Sequence, residues 1–155
     1  GGADLVSAGL GDIFLAKYSQ AGSHQWSQRF GGPDNDYGYS VCTDGRGNAT
    51  ITGSFRGSVD FGGGALTSDG LTDMYIAKYS STGAHRWARR SGDTSTDAGN
   101  CVARDPRGGD LVVTGDFQGW GIFGGSPLLS AGSTDVFLAK YDPAAMEPEI
   151  SSITA

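Results

Sequence analysis

Side-chain oxygens at alternate positions, followed by a glycine, make Asp34-Asn35-Asp36-Tyr37-Gly38 the first segment with the chemistry of a binding site. It matches half of a calcium loop, in which carboxylates spaced by two converge on one cation. A complete loop needs a bidentate acid about six residues further on, and none stands there. At the corresponding place later in the chain only Asp97 is kept, with Ser95 opposite Asp34. Asp36 and Asp97 are therefore expected to accept backbone N–H bonds and fix a turn, and no metal is assigned.

His24 and His85 suggest acid–base chemistry, but each occurs in a recurring His-x-Trp triplet with Trp26 or Trp87. An active site needs one constellation, so recurrence favours packing. Residues two apart share a strand face, and the histidines are expected to pack with the tryptophans between neighbouring units. Lys17, Lys78 and Lys140 recur as well and are expected to be solvated heads on packed stems. Trp120 is different, because its counterpart in the preceding unit is Ser58. Flanked by Gly119 and Gly121, it is a candidate stacking platform for a sugar or a partner side chain, set against a packing role. The candidate ligand-binding residues are thus Trp120, Asp34 and Asp36. No Gly-x-Ser-x-Gly, His-Glu-x-x-His or phosphate-loop pattern occurs, so no catalytic residue and no cofactor is assigned. The chain is expected not to be an enzyme.

The elements that must position these residues are repeats. Asp12-Ile-Phe-Leu-Ala-Lys-Tyr18 returns as Asp73-Met-Tyr-Ile-Ala-Lys-Tyr79 and as Asp135-Val-Phe-Leu-Ala-Lys-Tyr141, offset by 61 and 62 residues. Thr52-Gly-Ser-Phe55 likewise returns as Thr114-Gly-Asp-Phe117. Each repeat predicts four strands. They are Tyr39–Thr43 (then Asn100–Arg104), Ala49–Phe55 (Leu111–Phe117), Ile13–Tyr18 (Met74–Tyr79, Val136–Tyr141) and His24–Phe30 (His85–Arg90). A Gly-rich excursion separates the second strand from the third. β-Branched and aromatic residues fill these runs and turn formers separate them, which marks an antiparallel meander. Glycine supplies 27 of the 155 residues, a share suited to tight turns and unsuited to long helices. Four antiparallel strands in a unit of this length predict an all-β chain, a partial β-propeller of about two and a half four-stranded blades.

The quoted motifs resemble the bacterial β-propeller repeat (SBBP-like) of exported multi-domain proteins, with an NHL-like strand order in which the Val41 strand is innermost. The resemblance covers residues 1 to about 142 and implies an extracellular or cell-surface setting without assigned chemistry. Residues 1–142 read as the propeller fragment, with copies starting near 12, 73 and 135. Residues 143–155 read as a linker or tail, either the start of an Ig-like module or an extra strand. A charge of −6 argues against a surface that tracks nucleic-acid phosphates. The apolar runs are too short for membrane insertion. The first residues lack the charged and apolar regions of a secretory signal, so the signal of an exported parent is expected upstream or already removed.

The expected function is a non-enzymatic interaction or scaffold module of an exported protein. Its partners are other blades, from the parent chain or other subunits. Two alternatives are a glycan-binding propeller, calcium-assisted or not, and a non-catalytic part of an extracellular enzyme. Cys42 and Cys101 leave successive units on the same face, so they are expected to be free, buried thiols.

Overall fold

Turn glycines cut the chain into short runs, and nearly every run is a strand. The computed structural model describes residues 2–146. β1 (Ile13–Tyr18) and β2 (His24–Phe30) form an antiparallel pair. β3 (Tyr37–Thr43), β4 (Ala49–Phe55), a small hairpin of β5 (Ser58–Asp60) and β6 (Ala65–Thr67), β7 (Asp73–Tyr79) and β8 (His85–Ser91) follow. Then come β9 (Ala98–Arg104), β10 (Leu111–Phe117), a second small hairpin of β11 (Trp120–Gly121) and β12 (Leu128–Leu129), and β13 (Asp135–Tyr141). A single helical turn, α1 (Pro143–Met146), closes the described chain. No helix among the described residues is long and apolar enough to cross a membrane.

β3-β4-β7-β8 form one complete four-stranded blade. β1 and β2 are the third and fourth strands of the blade before it, and β9-β10-β13 are the first three strands of the blade after it. The chain is a partial β-propeller. The Gly-rich excursions, for which the repeat predicts no strand, each fold into a two-stranded hairpin. The innermost strands start two residues earlier than the sequence suggests. A bulge between Gly38 and Ser40 lets Tyr37 and Gly38 pair with Ser54 and Gly53, so the ladder continues past the irregularity. A segment expected to open an Ig-like module, 148–154, lies outside the described residues.

Burial along the third strands shows how the blades stack. In the central blade Met74, Tyr75, Ile76 and Ala77 are all buried. Met74 and Ile76 join a core with Phe137 and Ala139 of the following blade. Tyr75 and Ala77 join a core with Ile13 and Leu15 of the preceding one. At the two ends the alternation is half satisfied. Phe14 of the first blade is 72% exposed, and Val136 and Leu138 of the last are 82% and 76% exposed. Each is the counterpart of a residue that the central blade buries.

Polar contacts tie the first blade boundary together. The Trp26 indole N–H and the Lys17 ammonium both donate to the Ser81 carbonyl, at 3.0 and 2.9 Å, and Gln28 donates to the Gly83 carbonyl at 2.7 Å. Lys17 also reaches the Gly47 carbonyl, so it is a cross-blade donor and not the solvated head expected of it. Asp12 and Asp73, each at the start of a third strand, pair with Arg29 and Arg90 of the fourth.

Candidate functional site

Asp36 sits where the chain enters β3, and it is almost fully buried. Its Oδ2 accepts the Gly32 N–H at 2.8 Å and its Oδ1 the Arg56 N–H at 3.0 Å. Its own N–H donates to the Gly11 carbonyl at 2.7 Å. One side chain thus clamps the loop before β3 to the end of β4. Asp97 repeats the arrangement in the next blade, accepting from the Asp93 and Gln118 N–H groups. Asp34 does not join it. That carboxylate is partly exposed and faces the Arg56 guanidinium at 3.9 Å. Among the described residues no three His, Cys, Asp or Glu side chains gather as a metal site would require.

Burial in this clamp disfavours charge. Desolvation raises the pKa of Asp36 and pushes that of Asp97 up to about 6. The backbone donors to Asp97 oppose the shift, while the negative charges of Asp93 and Asp73 add to it. A carboxyl that ionises higher when folded than its ordinary 3.8 binds its proton more tightly in the native state. Its contribution to stability is full below that value and is lost as pH rises through about 6. A carbon-13 titration of the Asp97 carboxyl should show a midpoint about two units above an ordinary aspartate. A midpoint near 4 would show that the two backbone donors outweigh desolvation.

The histidines are not between blades. The partners of Lys78 and Tyr79 across the sheet are Trp87 and His85, so Arg86 is an extra bulged residue. Cross-strand partners share a face, so the bulge puts His85 and Trp87 on opposite faces and voids the spacing-by-two argument. His85 meets Tyr79 edge-on and lies over Gly62 and Gly63 of its own blade, where a Cβ on Gly63 would stand 2.4 Å from the imidazole Cε1. His24 repeats this with Tyr18 and Gly2. Both cysteines are free, but Cys42 is half-buried and Cys101 exposed. Cys101 was expected to be buried. Its sulfur meets the Ser40 hydroxyl of the central blade at 3.9 Å, and the residue is otherwise open to solvent.

Trp120 opens the β11–β12 hairpin. Its N–H donates to Asp93 Oδ2 at 2.8 Å, which fixes the backbone, and it pairs across the hairpin with Leu129. Its side chain is 54% exposed beside Ile122 at 59% and Leu129 at 61%. In the preceding blade the same positions are Ser58, Asp60 and Thr67, all exposed on β5–β6. That blade has neighbours on both sides, so this hairpin face is open to solvent in a stacked blade. Relative to the central blade three polar positions are apolar in the last one, and the first blade carries an exposed Val6 at the third of them. The sequence singles out Trp120 but not Leu129, which becomes visible when Thr67 is aligned with it across the Gly-rich segment.

The comparisons with known proteins agree with this architecture. Residues 25–54 match the family model of the beta-propeller repeat. The matched segment runs from β2 to β4, crossing a blade boundary, so the sequence unit is offset from the structural blade. An uncharacterized WD repeat-containing protein of Acanthamoeba polyphaga mimivirus is 25% identical over 159 aligned residues. The alignment covers 90% of this chain and 11% of that protein, so the chain spans about a ninth of its relative's length.

Proposed function

We propose that the chain is a non-enzymatic interaction and scaffold module of an exported or cell-surface protein, and that a protein partner engages the outer face of the β11–β12 hairpin around Trp120. The observation that carries this reading is the contrast between two equivalent hairpins. The repeat needs no apolar residue at these positions, since Ser58, Asp60 and Thr67 occupy them in the central blade. Exposed Trp, Ile and Leu together lose solvent contact only when something covers them, and a large exposed aromatic on a rigid element is a typical interface anchor.

The surroundings favour protein over glycan. A sugar platform combines an aromatic face with convergent polar groups. Here the neighbours on the face are Ile122 and Leu129, and the nearby Asp93 carboxylate is engaged by the Trp120 and Ser95 N–H groups. The repeat and the WD-repeat relative support a propeller that presents surfaces to partners. The resemblance to exported multi-domain proteins supports the setting.

A photo-crosslinking amino acid at position 122, compared with the same residue at the equivalent position 60, tests the reading on cell-surface material. A discrete polypeptide adduct at 122 and none at 60 is expected. Equal labelling at both positions, or adducts with glycan alone, would contradict it.

A further inference from the structure

A second surface departs from the repeat, at the boundary between the central and last blades. A cleft of about 530 Å³ opens where the β3–β4 turn faces the end of β9 and the start of β10. Arg46, Arg86 and Arg104 line it from three separate elements, together with Lys78. The three arginines form no ion pair among the described residues, whereas Arg29, Arg56 and Arg90 each face a carboxylate. Two carboxylates also line the cleft, and both are hydrogen-bonded within their own turns. Asp44 accepts from the Arg46 and Asn48 N–H groups and from the Asn48 amide, and Asp142 accepts from the Ala144 N–H.

The repeat does not require this charge. Arg86 stands where the first blade has Gln25, and Arg104 where the central blade has Thr43. Asp44 and Asp142 offset part of the positive charge of this cleft, but neither forms an ion pair with an arginine among the described residues, so the guanidinium groups keep N–H donors for an entering anion. Guanidinium forks suit planar or tetrahedral oxyanions, which they bind with two parallel N–H bonds. The cleft is larger than a single phosphate or carboxylate group needs. The geometry points to a binding site for a small polyvalent oxyanion, bearing phosphate or carboxylate groups, held by Arg46, Arg86 and Arg104. The site is separate from the Trp120 hairpin, and either can stand without the other.

Amide chemical-shift titrations of the full chain at low ionic strength test it, with inorganic pyrophosphate and citrate as separate probes. Saturable shifts centred on the 44–48 and 105–110 turns are expected. The double variant Arg86→Gln, Arg104→Thr, which restores the residues of the other blades, should weaken binding about tenfold or more. Arg46→Gln, on an exposed turn, gives a second test if the double variant is unstable. Binding of pyrophosphate alone would identify phosphate as the ligand chemistry, and binding of citrate alone would identify carboxylate. The absence of shifts with either probe at about 10 mM, or equal affinity in the variants, would overturn the proposal.

Discussion

Replacing Phe61 with alanine is expected to remove about 3–5 kcal/mol of folding free energy, a large share of what a small domain holds. Phe61 follows β5 and is fully buried. Its ring centre lies 4.5 Å from that of Tyr75 and 5.9 Å from those of both Phe30 and Phe55. Phe30 belongs to the first blade, so this one side chain joins two blades through the hairpin. Its carbonyl also accepts the Tyr79 hydroxyl at 2.9 Å, which holds the backbone while the ring is removed. The cavity therefore has little freedom to collapse. Phe123 is its counterpart in the last blade, stacked on Phe137 at 3.9 Å. It is slightly exposed, and Phe123→Ala should lose less. Urea unfolding with an unchanged slope measures both. A loss below about 1 kcal/mol for Phe61→Ala would show that the hairpin does not join the blades.

Asp36→Ala is expected to lose about 2–5 kcal/mol, because it leaves the Gly32 and Arg56 N–H groups without an acceptor. The desolvation penalty of two orphaned donors outweighs the gain from removing a buried carboxyl. Asp36→Asn should fall between, since its amide keeps one oxygen and turns a donor toward the other N–H. Crossing β3 and β4, the clamp also sets the mouth of the blade, so amide exchange at Gly32 and Arg56 should accelerate in the alanine variant. Unchanged stability and exchange would mean that water replaces the carboxylate without penalty.

The strands were legible because similar turn formers and the Ala-Lys-Tyr and His-x-Trp motifs recur at a near-constant offset, and a strand's period of two survives in the residues themselves. What was lost is what one extra residue does. The bulges at Arg86 and after Gly38 leave the apparent alternation intact while reversing the face downstream. That is why His85 turned out to lie within its blade. Asp36 was legible as a turn clamp because it recurs as Asp97. The apolar hairpin was legible at Trp120, where Trp replaces Ser, but not at Leu129, where a loop of glycines obscures the alignment. The arginine cleft was not legible, because Arg46, Arg86 and Arg104 are far apart in sequence and meet only when two blades stack.

The central claim is that these blades are built to be covered on both sides, and sedimentation of the isolated chain tests it most directly. Phe14 faces one way and Val136 and Leu138 the other, each matching the surface that a neighbouring blade buries inside the molecule. At micromolar concentration the chain is expected to sediment as species heavier than its 15.9 kDa. Val136→Asp with Leu138→Asp should return it to a monomer, while Trp120→Ser should leave the association unchanged. A single 15.9 kDa species with a cooperative melt would contradict the claim.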